Sequence, residues 1–328
     1  MNRRISSLEI FRIVLIIMII LLHVTGHGGI LSEVEIESVN FYIVYIIHGL
    51  SVCAVDCFII MFVFFQCNKN IKIKKLYKLY MQIIFYSIII FIAISIFTNQ
   101  ILVSNIIITI LPIIYGRWWF ITKYILLFLI SPIINSILIR FNKNNLKVIV
   151  LVIISILYII PTIFINSSIN NDNYGLINLI GLYVIGYFIK VNEDSFNLSK
   201  YKYMIYYLLC MFIPTILNIT ISIYSNKAPK LLWQNYNFFI VLGAIMLFLF
   251  FLNIKIESNF INMIGSSTLA VYIIHDDPMV RSILYNIFET NSWANEKYMI
   301  SYIFIFSISI FIFCIIIDKI RVFIMRGI

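Results

Sequence analysis

The sequence predicts an all-α, polytopic membrane protein, built as a bundle of about ten transmembrane helices. Hydrophobic residues make up 62% of the 328-residue chain, and only 12% of its residues are charged. A soluble domain has about a quarter charged residues, so this composition excludes an ordinary soluble fold. No segment is typical of a separate soluble domain, and we expect a single integral membrane domain over residues 1–328.

Ten apolar runs are long enough to cross about 30 Å of hydrocarbon as helices. They lie near residues 9–27, 41–66, 79–98, 118–139, 146–165, 175–190, 203–223, 236–253, 264–287 and 299–317. The segment 100–116 is apolar but short and contains Pro112 and Gly116, so we interpret it as interfacial or re-entrant. The N-terminus resembles a signal peptide without a small-residue cleavage site, and we expect it to remain as the first span.

The net charge of +10 reflects orientation in a bilayer and not a nucleic-acid partner. The basic residues lie in short loops between apolar runs, and no soluble basic face exists for a duplex. With cytoplasmic N- and C-termini, the lysine-rich segment 67–78 lies inside, and the outer loops carry only Arg117, Lys227, Lys230 and Lys297. The five cysteines form no CxxC pattern, so we interpret them as packing residues.

The first predicted helix carries polar groups on one face. Arg12 and His23 are separated by ten apolar residues, which places them about 20° apart in azimuth and about 16 Å apart along the axis. Glu9 precedes Arg12 by one turn and His27 follows His23 by one turn. Because an ionisable group at membrane depth costs about 2.5–3.5 kcal/mol, we treat these residues as functional candidates.

His23 is the strongest of these candidates, because a neutral imidazole in the outer half of the bilayer can act as a general base. The structural alternative is a buried histidine bonded to a neighbouring helix. Arg12 has its own alternative, since an arginine near a helix end can reach the interface. His23 and His27 have the spacing of metal ligands, but no third ligand is near in the sequence, so we predict no metal site.

A second group of ionisable residues lies in the apolar stretch LAVYIIHDDPMVRSILY, which contains His275, Asp276, Asp277 and Arg281. Pro278 removes a backbone hydrogen bond and favours a kink. Two adjacent carboxylates cannot both be buried cheaply in ionised form, so this stretch must line water, meet cations or take up protons. The structural alternative is an ion pair between Arg281 and one aspartate, for which Asp277 has the i,i+4 spacing.

A third group lies at the outer end of the fourth predicted span. Trp118 and Trp119 are typical of an aromatic belt at the membrane interface. Arg117 beside them is a candidate ligand for an anionic substrate. The basic segment 67–78 is either a topology anchor or a phosphate-binding surface. His48, alone in the second span, is interpreted as structural.

Several of these residues occur in an order that resembles the acyltransferase-3 family. The pattern starts with Glu9-x-x-Arg12, ten residues and His23, and it continues with Trp119-Phe120-Ile121, with SPIIN at 131–135 and with YIIH at 272–275. Members of this family are integral membrane enzymes that O-acylate extracytoplasmic carbohydrates in bacteria. The resemblance covers nearly the whole chain and implies a bundle of about ten helices in the bacterial plasma membrane.

The resemblance implies that His23 acts in acyl transfer and that Arg12 helps to hold the acyl donor. We expect acetyl-CoA as the donor substrate, no bound cofactor, and a polysaccharide or lipid-linked glycan as the acceptor. The expected catalytic residues are His23 and His275. The expected substrate-binding residues are Arg12, Glu9, Arg117, Trp119, Asp276, Lys75 and Lys78.

Two departures from the family pattern bear on donor binding. The second span reads AVDCFIIMFVFF, without the Ser-Gly that many members carry. The third span begins with Lys75 and Lys78 where many members have an arginine pair, so donor binding is either weakened or moved to these lysines. Two other functions stay open: a transporter or flippase for an anionic lipid-linked sugar, and a non-catalytic partner of a polysaccharide synthase. The absence of internal repeats disfavours a transporter.

Overall fold

The computed structural model describes residues 6–67, 69, 71–100, 103–165, 168–169, 172–173, 175–228 and 230–325. Within these residues the chain is helical and contains no strand, which confirms the predicted all-α fold. Arg3, Arg4 and Arg326, which contribute to the predicted charge asymmetry, lie outside the described residues.

Sixteen α-helices are present in the described part of the chain. They are α1 (Ser6–Gly26), α2 (Ile30–Glu33), α3 (Val39–Ser51), α4 (Ala54–Gln66), α5 (Ile73–Thr98), α6 (Val103–Ile110), α7 (Trp119–Leu138), α8 (Lys143–Ile154), α9 (Ile160–Ile163), α10 (Leu176–Val191), α11 (Lys200–Ser225), α12 (Phe238–Leu252), α13 (Asn259–Gly265), α14 (Thr268–His275), α15 (Pro278–Ile287) and α16 (Met299–Met325). A π-helical turn, Ser155–Ile159, joins α8 to α9, and short 3-10 turns lie at Glu193–Ser195 and Thr290–Asn295.

Seven helical segments among the described residues are long and apolar enough to cross a membrane. They are Ser6–Gly26, Val39–Gln66, Ile73–Thr98, Trp119–Leu138, Lys143–Ile163, Lys200–Ser225 and Met299–Met325. The apolar helices α10 and α12 are shorter. All nine coincide with predicted spans. Helix α6 has eight residues, about 12 Å at 1.5 Å per residue, so it is too short to cross, in keeping with an interfacial or re-entrant segment.

The prediction of one continuous span over 264–287 is wrong. This stretch contains two short helices, α14 and α15, and begins at the end of α13. The break between α14 and α15 has a local cause: Pro278 occupies the first position of α15, and Asp277 caps that helix by accepting a hydrogen bond from the Met279 backbone N–H at 3.0 Å. Asp276 and Asp277 therefore lie in a turn and not within a helix.

Helix α1 lies inside the bundle and contacts α3, α4, α12, α13, α14 and α16. Phe11, Leu15 and Val24 are fully buried, and the Phe11 ring stacks on Phe251 with 4.6 Å between ring centroids. The outward faces of α5, α8 and α16 instead expose aliphatic and aromatic side chains, as expected of surfaces that meet lipid. Glu9 is therefore buried in protein, while Arg12 and His23, on the same helix, are partly buried.

A buried ion pair ties the broken segment to the rest of the bundle. The Arg117 Nε donates to Asp277 Oδ2 at 2.7 Å, and both side chains are almost completely buried. The Arg117 Nη1 donates to the hydroxyl of Ser87 on α5 at 2.9 Å and to that of Thr109 on α6 at 3.0 Å. Next to Arg117, the Trp118 indole N–H donates to the carbonyl of Ile273 on α14 at 3.0 Å.

These contacts correct two predictions. Trp118 is 2% exposed and holds α14, so its assignment to an aromatic belt is wrong. Asp277 pairs with Arg117, whereas Arg281 bonds the Asp276 carboxylate at 3.1 Å. An ion pair between Arg281 and one aspartate is thus present, but it involves Asp276 and not the i,i+4 neighbour.

We predict that Arg117→Met or Asp277→Asn alone will destabilise the detergent-purified protein by about 3–5 kcal/mol, because each change leaves a buried charge unpaired. The double variant Arg117→Met/Asp277→Asn should recover part of that loss, because neither charge remains. Thermal unfolding followed by tryptophan fluorescence measures the effect.

The matched control is Glu193→Gln, which breaks the exposed Lys190–Glu193 pair, a 2.8 Å contact on the surface. An exposed ion pair contributes about 0–1 kcal/mol, so this variant should unfold close to wild type. Single variants at Arg117 and Asp277 that unfold like the control would contradict the structural role of the buried pair.

Candidate active site

The structure brings together two histidines that are 252 residues apart in the chain. His23 lies near the end of α1, and His275 is the last residue of α14. The His23 Nδ1 lies 3.1 Å from the His275 Nε2, and the ring centroids are 5.2 Å apart. Helices α1 and α14 are in direct contact, so this hydrogen bond joins two packed elements of the core.

The hydrogen bonds assign the tautomer of each ring. The His275 Nδ1 lies 2.6 Å from the carbonyl oxygen of Val271, which can only accept, so Nδ1 carries the hydrogen. In a neutral His275, Nε2 then has the lone pair and accepts from the His23 Nδ1–H. The Nε2 of a neutral His23 is consequently left with a lone pair, which is the arrangement that a general base requires.

Asp276 is the carboxylate of the site. Its Oδ1 lies 3.4 Å from the His23 Nδ1, and the residue is 5% exposed. The Nη1 of Arg281 donates to the same oxygen at 3.1 Å and lies 3.1 Å from the His27 Nε2. We call His23, His27, His275, Asp276 and Arg281 the histidine cluster.

His27 lies at the edge of the histidine cluster, and the chain can take this path because the next residue is a glycine. A Cβ at Gly28 would lie 2.2 Å from the Val24 carbonyl oxygen and 2.6 Å from Thr290 Cγ2, so only glycine fits where the chain leaves α1. Partial burial and the charge of Arg281 lower the pKa of His27. The ring is therefore neutral at pH 7 and can accept the hydrogen bond from Arg281.

The fold places Asp276, which is distant in the sequence, beside His23 and His27, so three residues that could bind a metal ion lie together. Ligand atoms of His23, His27 and Asp276 all lie within 4.8 Å of one another. The Arg281 guanidinium bonds two of these three groups, so a cation there would have to displace a positive charge. The absence of a resident metal stays a prediction.

Arg12 lies about three helical turns, and Glu9 about four, from His23 on the same helix. The Arg12 Nη1 donates to the Glu9 Oε1 at 3.1 Å, as their i,i+3 spacing allows. Glu9 is buried, and its other carboxylate oxygen packs against Gly265, where a Cβ would lie 2.4 Å away. The Arg12 side chain keeps about a third of its surface exposed, so part of its guanidinium is open to a ligand.

Aromatic side chains connect the level of Arg12 with the histidine cluster. Tyr124 is near enough to Arg12 for the two side chains to interact electrostatically. Its ring centroid lies 4.7 Å from that of Phe62 and 6.1 Å from that of Phe120. Phe120 lies 5.7 Å from Tyr272, which in turn lies 6.3 Å from His275. The Trp119 ring packs 5.8 Å from Phe120 and so borders this series.

The remaining predicted residues lie apart from the cluster. Lys75 and Lys78 are exposed on the first two turns of α5, and neither takes part in an ion pair within the described part of the chain. Arg117 is buried against Asp277, so a substrate could reach it only by disrupting that pair. His48 is buried and its Nδ1 bonds the Thr25 hydroxyl at 2.8 Å, in keeping with a structural histidine.

Sequence reasoning missed three features of the site: the carbonyl of Val271, the tie from Trp118 to α14, and the bridge that Arg281 makes between His27 and Asp276. The available signal was that two distant apolar segments both carry histidine, since polar groups at membrane depth need partners. That signal favours contact between the segments, but it does not give the pairing of atoms.

The family model Acyl_transf_3, described as an acyltransferase domain, matches residues 5–319. No curated protein and no solved structure matched the chain. Because the family match covers nearly the whole sequence, the chain belongs to the acyltransferase-3 family and is a membrane acyltransferase.

Proposed function

We propose that the protein transfers an acetyl group from cytosolic acetyl-CoA to a hydroxyl of an extracytoplasmic polysaccharide or other cell-envelope glycan. The observation that carries this proposal is the chain of hydrogen bonds from Val271 through His275 to His23, which leaves a lone pair on the His23 Nε2. A group-transfer enzyme that acts on a hydroxyl needs such a base, because an alcohol is a weak nucleophile until its proton is removed.

In the proposed reaction, the His23 Nε2 takes the proton of the acceptor hydroxyl as that oxygen attacks the thioester carbonyl carbon. The C–O bond forms, the C–S bond breaks, and the departing CoA thiolate takes the proton from His23. The imidazolium that exists between these events is positive. Asp276 Oδ1, 3.4 Å from the His23 Nδ1, stabilises it, and His275 accepts the Nδ1 hydrogen bond throughout.

The donor would lie along the aromatic series. A CoA thioester has anionic phosphates at one end and the acyl group at the other, joined by a long uncharged arm. Arg12 is suited to the phosphates, since a guanidinium forms strong charge-assisted hydrogen bonds with them. The uncharged arm matches the rings of Tyr124, Phe120 and Tyr272, which lead from the level of Arg12 towards His275. Lys75 would add attraction for phosphate at the same membrane surface.

This scheme requires the Arg12 end of α1 to face the cytoplasm and the His23 end to face outwards, with both termini inside. We predict that a cysteine introduced by Val39→Cys will react with a membrane-impermeant maleimide in intact cells, whereas one introduced by Lys74→Cys will react only after lysis. Both positions are exposed, and the five native cysteines are buried, so background labelling should be low. The opposite labelling pattern would reverse the orientation and remove the basis of this scheme.

We predict that His23→Ala will lower acetyl transfer by about 10²–10⁴-fold, the usual contribution of a positioned general base. Transfer from labelled acetyl-CoA to the glycan fraction of the cell envelope, read by mass spectrometry, measures the effect, and acetyl-CoA binding should change little. The matched control is His48→Gln, a change at another buried histidine, which should keep most activity. Full transfer by His23→Ala would exclude the general-base role.

We predict that Arg12→Ala will weaken acetyl-CoA binding by about tenfold to a hundredfold, since a hydrogen bond to a charged group contributes about 1.5–3 kcal/mol. Arg12→Lys should recover only part of the affinity, because lysine lacks the planar guanidinium. Calorimetry on the purified variants measures donor affinity, with Arg140→Ala, at an exposed arginine on the same predicted side, as the control. Unchanged donor affinity in Arg12→Ala, together with lost transfer, would move Arg12 from donor binding to another role.

A further inference from the structure

Lys230 lies beside the histidine cluster, near the end of α1. Its Nζ is 3.7 Å from the position that a Cβ on Gly26 would occupy, which places the ammonium at the end of α1, next to His27. The field of Lys230 contributes to the lowered pKa of His27, so the two groups are electrostatically close. Within the described residues no carboxylate lies within ion-pair distance of Lys230.

The position of Lys230 is fixed by a turn. Its backbone carbonyl accepts hydrogen bonds from the Trp233 N–H at 3.2 Å and from the Gln234 side chain at 3.2 Å. Trp233 is buried, and its ring packs 4.8 Å from the ring of His48, so the turn is anchored in the core. The backbone of Lys230 is thus fixed next to the site, and its exposed side chain extends from this anchored turn.

The positive charge of Lys230 is not balanced by the two aspartates of the site. Asp276 is neutralised by Arg281, and Asp277 by Arg117. The Lys230 side chain is exposed, so its ammonium is open to a ligand. Only the Nη1 of Arg281 bonds Asp276 and His27, so its remaining N–H groups, on a side chain that is about a third exposed, can serve another acceptor.

We infer that Lys230 and Arg281 form a subsite for a negatively charged group of the acceptor glycan, such as a uronic acid carboxylate or a backbone phosphodiester. This inference rests on the proposed function, because it identifies the acceptor of the same site. Arg281 contacts the His27 ring directly, and Lys230 lies near Gly26, the residue before His27. An anionic group bound between them would hold a neighbouring hydroxyl of the glycan at His23.

Acidic residues elsewhere on the same side of the protein do not occupy this subsite. Glu33 ends α2, Glu35 and Glu37 follow it before α3, and none of these exposed residues pairs with Lys230. They would repel an anionic polymer from that loop, while Lys230 and Arg281 would attract it to the histidine cluster. Placement of both signs in this way favours one binding position over others.

The test compares matched oligosaccharides on purified full-length protein without an acyl donor, so that binding is measured apart from turnover. A tetramer of galacturonic acid is compared with its methyl-esterified, uncharged counterpart, and a ribitol phosphate tetramer supplies the phosphodiester. Calorimetry should show at least one anionic tetramer binding about tenfold or more tightly than the neutral one, with a preference that falls as salt is raised. Which anionic tetramer binds more tightly distinguishes a carboxylate from a phosphodiester acceptor.

Three variants locate the effect. Lys230→Met should reduce the preference to less than about threefold, and Lys230→Arg should restore most of it, because a positive charge returns. Lys227→Met, at an exposed lysine three residues earlier in the same loop, should keep the wild-type preference. Equal binding of charged and neutral tetramers, binding of none of them, or a preference that survives Lys230→Met would each overturn the subsite.

A transfer assay with acetyl-CoA on the same tetramers separates this inference from the proposed function. If the protein binds the anionic tetramer selectively but does not acetylate it, the subsite stands and the proposed function fails for that acceptor. If it acetylates the charged and neutral tetramers equally well, the proposed function stands and the subsite is wrong.

Discussion

The ion pair between Arg117 and Asp277 is the interaction on which the site depends. Two charges removed from water are tolerated only when each is paired and its remaining hydrogen-bonding groups are satisfied. Ser87 and Thr109 meet that requirement for Arg117, and the backbone of Met279 meets it for Asp277. A change in the path of any of these elements would leave a charge exposed to an apolar interior, so their relative positions are strongly constrained.

The pair acts on the histidine cluster through the residue next to it. Asp276 and Asp277 are adjacent, and a turn directs their side chains to different partners: Asp277 to Arg117, and Asp276 to Arg281 and His23. The Trp118 hydrogen bond to Ile273 fixes the end of α14 from the same side. The two neighbouring carboxylates thus have different roles. Asp277 stabilises the fold through Arg117, and Asp276 lies next to the His23 imidazole.

The sequence was sufficient for features that depend on local pattern. Apolar runs predicted the seven long apolar segments and the two shorter apolar helices, and the i,i+3 spacing of Glu9 and Arg12 corresponds to a contact of 3.1 Å. The continuous span over 264–287 failed because hydropathy records the apolar character of a segment and not whether its backbone is broken. Pro278 predicts a kink, yet the chain ends α14 at His275 and starts a new helix, with Asp277 as its N-cap.

Long-range pairings could not be predicted in the same way. The Arg117–Asp277 bond joins residues 160 apart, and the His23–His275 bond joins residues 252 apart. Periodicity shows which face of a helix is polar, but it gives no information about which distant segment covers that face. For this reason the sequence predicts an ion pair between Arg281 and an aspartate but does not identify the aspartate. It also does not predict that Asp276 lies beside His23 and His27.

The distribution of charge along α1 has a consequence for how acyl transfer across a membrane can proceed. Between Arg12 and His23 every residue of the helix is apolar, and neighbouring aromatic rings lead from Tyr124 through Phe120 to Tyr272, beside His275. An uncharged arm can enter such a region at low cost, whereas the phosphates of a CoA donor cannot. The donor would therefore stop with its phosphates at Arg12 while its acyl group alone advances towards His23.

On the other side, a glycan held by its charge at Lys230 and Arg281 could present a hydroxyl without entering the apolar region. Acyl transfer would then need only the small, neutral acyl group to pass between the two substrates, and neither charged substrate would have to cross the bilayer.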